Sequence, residues 1–306
     1  MSNINNFEDL SRNEVKELLK KWRENNERRG EDVLDLWEII SENDFHKMGA
    51  EKHVILEQVT FAALDCHYYG IAKSCIDLLE ADFPNSLRVE KLKAALFEAA
   101  EKYDGALEIL DSIIEMDVTN APARKRRVAI LKAQGKIPEA IKELVDYLKK
   151  FMSDVEGWQE LCELYQQVGE YARAAFCAEE LILHQPHNHL IHQRLADIRY
   201  TMGGVENMEI AKTYYCHALK LNPDNMRALL GLFLACNNLV HHYKAAGGGK
   251  RKEAWRLARW AQARVAARTK AASAAPAPAP APAPSRQPAV AQPELAEMML
   301  SLAIAD

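Results

Sequence analysis

Residues 155–188 read VEGWQELCELYQQVGEYARAAFCAEELILHQPHN. Trp158, Leu161 and Tyr165 recur three and four residues apart, the spacing of an apolar stripe on a first helix. Cys162 is small beside Leu161, and Ala174 is small in the stretch that follows. Small residues at such places let two antiparallel helices approach closely. Pro186 ends the second stretch, because it has no N–H to donate and restrains the residue before it. Further out, Ala174 is the last rung of a ladder with Ala72, Ala106 and Ala140, each 34 residues from the next. Pro84 follows Ala72 by twelve residues, as Pro186 follows Ala174.

A period of 34 is the length of one tetratricopeptide (TPR) helix–turn–helix unit. Such a unit cannot bury its apolar face alone, so it stacks on its neighbours and leaves a concave wall. With each ladder alanine at position 20, units begin at His53, Leu87, Ala121 and Val155. A fifth begins near His189, with Leu195, Ala196, Tyr200, Ala211, Ala218 and Pro223. Its small residue arrives three places late, and Gly203–Asn207 is expected to lengthen the turn. A sixth opens at Asp224 with Leu230, Gly231 and Leu234, and its second helix is expected to resume at Ala254. The expected fold is all-α, a right-handed superhelical TPR solenoid of about five to six helical hairpins. Four regions are expected: N-terminal capping helices at 1–50, the solenoid at 51–270 with an inserted loop at 245–252, an Ala/Pro-rich linker at 271–292, and a short amphipathic helix at 293–306.

Local signals support this register. Ser11 and Glu14 form a capping box, and Asn120, Asp154, Asn188 and Asp224 are candidate N-caps. Val15, Leu18, Leu19 and Trp22 form one apolar stripe before the ladder, and Val33, Leu36, Trp37 and Ile40 form another. The tract APAPAPAPAP at 275–284 cannot form a helix interior and reads as an extended spacer. Beyond it, Leu295, Met298, Met299 and Leu302 share a helical face.

Composition excludes several functions. A net charge of −5 over 306 residues gives no basis for bulk nucleic-acid binding. The start, MSNINNFEDL, lacks the basic and apolar regions of a secretory signal. No run of about 18 apolar residues is present, so no membrane-spanning helix is expected. Cys66, Cys75, Cys162, Cys177, Cys216 and Cys236 include no CxxC pair and read as reduced, buried thiols of a cytosolic protein. His184, His187, His189 and His192 cluster around Pro186, but no cysteine or acid joins them at ligand spacing. Gly247-Gly248-Gly249-Lys250 lacks the rest of a phosphate-binding loop, and Arg251 follows where Ser or Thr is needed. No catalytic, cofactor or metal residue is expected, and the chain reads as a non-enzyme.

The candidate site is the concave wall, which presents positions 2, 5, 9 and 12 of each first helix. It comprises Glu57, Phe61, Leu64, Lys91, Glu98, Lys125, Lys132, Gln159, Glu163, Gln166, Gln193, Asp197 and Tyr200. Lys125 and Lys132 belong to a basic patch with Arg124, Arg126, Arg127 and Lys136, suited to acidic peptides. A second patch, Lys244–Lys270, sets nine Lys and Arg against Glu253 alone and carries Trp255 and Trp260. That composition admits peripheral contact with a membrane surface. Chaperone-tail clamps resemble one another in placing Asn at position 9, where this chain has Phe61, Ala95, Ala129, Glu163, Asp197 and Leu232. No such clamp is expected.

Several segments lie outside the generic repeat pattern: EQVTFAALD at 57–65, ARKRRVAILKAQGK at 123–136, AAFCAEEL at 174–181, PHNHL at 186–190 and GGVENMEIAKTYYCHALKLNPDNMRALLGL at 203–232. In these the chain closely resembles the family of subunit 2 of the endoplasmic reticulum membrane protein complex, over roughly residues 12–240. The resemblance implies a peripheral scaffold on the cytosolic side of that membrane. It implies as partners the cytosolic parts of subunits 3 and 5 and a globular subunit 8 or 9, in a complex that inserts transmembrane segments, tail anchors included. The closing PELAEMMLSLAIAD is similar to the family's C-terminal amphipathic helix, whereas the triple glycine and the Ala-Pro tract are not family hallmarks. The reading from another class is a soluble TPR adaptor or co-chaperone that captures client peptides directly.

Overall fold

A computed structural model describes residues 10–43, 49, 51–244 and 248–274. Among them lie fourteen α-helices and no strand. Two lead-in helices, α1 (Arg12–Glu24) and α2 (Gly30–Asn43), precede six hairpins. The hairpins are α3 (Lys52–Asp65) with α4 (Tyr69–Asp82), α5 (Leu87–Ala99) with α6 (Tyr103–Met116), and α7 (Ala121–Ala133) with α8 (Ile137–Leu148). They continue with α9 (Val155–Gln167) and α10 (Tyr171–His184), α11 (His189–Met202) and α12 (Val205–Leu221), and α13 (Met226–His242) and α14 (Gly248–Ala274). The chain divides into two compact units, Met1–Glu143 and Leu144–Asp306.

One turn geometry recurs. His67, Glu101, Gly135 and Gly169, spaced like the alanines, all have positive φ, at 64°, 57°, 74° and 79°. Each lets the next amide reach back five residues: Tyr68 to Ala63, Lys102 to Phe97, Lys136 to Leu131 and Glu170 to Tyr165, at 2.8–2.9 Å. This is the left-handed C-terminal cap that ends a helix and satisfies its last carbonyls. The second helix of the hairpin then starts two residues later.

The ladder alanines are all fully buried. In the hairpin of α9 and α10, the Cys162 thiol donates to the Ala174 carbonyl at 3.4 Å, so the two small residues meet. The same first-helix place holds Thr60, Ala94, Val128 and Ala196, and each is buried. In the first unit one core joins Val15, Leu19 and Trp22 of α1 and Val33, Leu36 and Ile40 of α2 to α3, α4 and α5. The lead-in helices thus share the core of the first hairpin. In the second unit Leu229, Leu232, Phe233 and Cys236 of α13 pack between Tyr215 and Leu219 of α12 and Ala258, Ala261 and Val265 of α14.

N-caps form at Ser11, Asn120, Asp154 and Asn188, and the Ser11–Glu14 box is complete. Asp224 is not a cap. Asn225 fills that place and accepts from the Ala228 amide at 3.0 Å. The Asp224 amide donates to Asn222, and its carboxylate pairs with Arg268 of α14.

Two further expectations are corrected. Gly203–Asn207 does not lengthen the turn, because only Gly203 and Gly204 lie between α11 and α12. Both adopt positive φ, 75° and 81°, which glycine alone takes without strain. The surplus residues Val205, Glu206 and Asn207 instead begin α12, which reaches 17 residues. The loop expected at 245–252 is helical from Gly248 onward, and α14 also runs into the expected linker as far as Ala274. Lys250 holds the early start by its 3.1 Å bond to Glu209, and the tract's prolines begin only at Pro276. The remainder of the Ala-Pro linker and the helix expected at 293–306 lie outside the described residues.

Candidate functional site

Positions 5, 9 and 12 of a first helix stand three to four residues apart and so share one face. In the first unit α3 brings Glu57, Phe61 and Leu64 to this face, α5 brings Lys91 and Glu98, and α7 brings Lys125 and Lys132. Phe61 is 46% exposed, whereas Leu64 packs on the core beneath. Lys91, Glu98, Lys125 and Lys132 are half-buried. In the second unit α9 carries Gln159, Glu163 and Gln166, and α11 carries Gln193, Asp197 and Tyr200. Gln159 and Glu163 are exposed, and Gln193 is buried.

The acids of this face are tied to arginines on the next first helix. Arg88 of α5 forks onto Glu57, with its Nε at 2.8 Å from Oε1. Arg126 of α7 reaches Glu98 at 2.5 Å, Arg194 of α11 reaches Glu163 at 2.9 Å, and Arg227 of α13 reaches Asp197 at 2.9 Å. Sequence reasoning missed Arg88, Arg194 and Arg227, and read Arg126 only as part of the basic patch. The available signal was an acid at position 5, 9 or 12 followed 28–31 residues later by arginine. Exposed pairs of this kind contribute about 0–1 kcal/mol each, so they fix spacing more than stability.

Asp197 is a hub. Its Oδ1 accepts from the Tyr215 hydroxyl at 2.6 Å, and Oδ2 accepts from Arg227 and from Gln193 at 3.4 Å. Burial pushes the Tyr215 hydroxyl well above its ordinary pKa of 10.0, and the bond to Asp197 adds to the shift. Asn225 donates to Gln193 at 2.8 Å, and Asn238 donates to the Tyr200 hydroxyl at 2.8 Å. Gln193, Asp197 and Tyr200 therefore knit α11 to α12 and α13. On the candidate face Phe61 of the first unit and Gln159 and Glu163 of the second are exposed, with Glu163 paired to Arg194.

Phe61 stands in a groove of about 640 Å³ in the first unit, with Trp22, Val54, Glu57, Gln58 and Arg88. The Arg23 guanidinium enters the same groove and donates to Gln58 at 2.7 Å. This surface offers an apolar floor with guanidinium edges and can hold a partner segment.

No group of three potential metal ligands occurs among the described residues. His192 bonds to the Pro186 carbonyl at 2.8 Å, and its ring lies 4.5 Å from that of His217. His189 meets Asn222 and Asn225. Burial pushes the thiols of Cys75, Cys177 and Cys236 up to about 12, which keeps them protonated and unreactive. In the basic patch Arg124 and Arg127 turn toward Glu143, and Arg127 meets Asp111 at 3.0 Å. No helix of the described residues is long and apolar enough to cross a membrane.

Residues 71–204 match the family model described as the EMC2 TPR-like repeat domain. The chain is 44% identical over 265 residues to ER membrane protein complex subunit 2 of Xenopus tropicalis, covering 87% of this chain and 89% of that protein. It is 31% identical over 232 residues to the subunit of the same name from Dictyostelium discoideum, covering 72% and 71%. In fold it is similar to the C-terminal part of a TPR repeat-containing protein from Cytophaga hutchinsonii, with a TM-score of 0.56, 14% identity, and 79% and 93% of the two chains covered.

Proposed function

The chain belongs to the family of ER membrane protein complex subunit 2, and from that membership we propose that it is a non-catalytic scaffold on the cytosolic side of the endoplasmic reticulum membrane. The observation that carries this reading is the 44% identity along 87% of the chain. The fold supports it, since stacked hairpins hold an array of side chains at fixed spacing and leave the chemistry to whatever they position. Partner segments lie across Phe61, Lys91, Lys125 and Lys132 in the first unit and across Gln159 and Gln166 in the second, while Glu57, Leu64, Glu98, Glu163, Gln193, Asp197 and Tyr200 hold the first helices in step. By resemblance, the partners are the cytosolic parts of subunits 3 and 5 with subunit 8 or 9, and the assembled complex inserts transmembrane segments, tail anchors included.

Affinity purification of the tagged chain from detergent-solubilised membranes tests this. A fixed set of membrane subunits in constant ratio is expected. A heterogeneous, substoichiometric collection of clients would instead mark the direct peptide adaptor and overturn the scaffold reading.

A further inference from the structure

The last of the described helices, α14, is two-faced. One face buries Ala254, Ala258, Ala261 and Val265 against α13. The other carries Lys252, Arg256, Trp260 and Arg264, four residues apart and all exposed. At 1.5 Å per residue this stripe spans about 18 Å. Trp255 is half-buried in the contact with Leu239 and Val240 of α13 and with Tyr243, which caps that helix, whereas Trp260 is 46% exposed. Arg264 lies over the Trp260 ring, 5.9 Å from its centroid. The helix's carboxylate contacts lie before, beside and after these four residues: Lys250 with Glu209, Glu253 with Lys212, and Arg268, one turn past Arg264, with Asp224. None of the described carboxylates pairs with Lys252, Arg256 or Arg264.

We infer that this stripe is a docking surface for an anionic lipid bilayer. It is the ridge of a single helix, not a groove between two, so it suits a plane better than a peptide strand or helix, which binds in a groove. Unneutralised cations along one line draw it toward anionic headgroups, and the tryptophan among them has the shape of an interfacial anchor, apolar in body and polar at one edge. Lysine and arginine stems lie along the apolar boundary while their charged ends stay with the headgroups. This contact is independent of which proteins the chain assembles with.

The test is sedimentation of the purified full-length chain with vesicles of phosphatidylcholine alone and with vesicles containing about a quarter phosphatidylserine, a source of anionic charge. Binding only to the second kind is expected, with release by about 0.5 M salt as screening shortens the reach of the charges. Each cation at the surface is worth about fivefold, so the triple variant Lys252→Gln, Arg256→Gln, Arg264→Gln should bind about a hundredfold more weakly. Vesicle binding should also blue-shift the tryptophan emission of the parent but not that of Trp260→Phe. Should the triple variant fail to fold, Trp260→Phe and the salt dependence of the parent still decide. Equal binding to both vesicle types overturns the inference, as does parent-like binding by a variant that melts normally. Tight binding of a polyglutamate peptide without vesicle binding would also overturn it and assign the stripe to an acidic protein.

Discussion

At the scale of single residues, four equivalent turns use two solutions. Gly135 and Gly169 take the left-handed conformation freely, while His67 and Glu101 are held there with a side chain in place. A side chain at such φ costs about 1 kcal/mol. Glu101→Gly should therefore stabilise the chain by about 1 kcal/mol, and Gly169→Ala should destabilise it by a similar amount, both measured by denaturant unfolding. Tyr215 is a second case. Its hydroxyl bonds to a carboxylate in a buried setting, and Gly231 gives its ring room, since a Cβ there would stand 2.3 Å from the ring. Tyr215→Phe should cost about 2 kcal/mol at neutral pH, the loss of a hydrogen bond to a charged acceptor. The folded-state pKa of this hydroxyl is raised above 10.0, so its contribution is complete below that pH and is lost as pH rises beyond it. The stability gap between parent and Tyr215→Phe should thus narrow above pH 10, as read from unfolding curves across the alkaline range.

At the scale of elements, the alanine ladder predicts what the hairpins bury. Ala140 is fully buried on α8. Ala140→Leu should cost about 1–3 kcal/mol through overpacking, and an unchanged melting temperature would refute the assigned register. The repeat boundaries were legible because they depend on local sequence: apolar spacing, small residues where helices cross, and prolines and caps at the ends. The misread segments are those where a helix can begin at more than one residue. Val205–Asn207 contain nothing that bars a helix, and two glycines suffice to turn the chain before them. Gly248 and Gly249 are poor helix formers, but Lys250–Ala274 are good ones, and the contact between Lys250 and Glu209 is made across helices and is invisible in local sequence. Asp224 and Asn225 are both competent caps, and the choice between them falls to Arg268, 44 residues away, which draws the Asp224 carboxylate aside.

At the scale of the whole molecule, the same step recurs in both units: an arginine on one first helix grips an acid on the helix before it. The candidate face was legible as a set of positions, since periodicity alone picks them out. Which of them remain available was not, because that depends on cross-repeat pairs such as Glu163 with Arg194. A scaffold needs both kinds of residue, some to hold the spacing and some to hold the partner, and Phe61 separates the two roles most cleanly. It is large, apolar and exposed within a groove, and the structure gives it no internal partner to satisfy. Phe61→Asp should leave stability within about 0.5 kcal/mol, as for other surface changes. Loss of a central aromatic anchor should nevertheless reduce assembly at least about tenfold. Quantitative co-purification, run beside thermal melts of the purified variant, reads both effects. Normal recovery of the membrane subunits with Phe61→Asp would remove the groove from the partner surface. A matching loss of stability and assembly would place Phe61 among the residues that only hold the repeats in step.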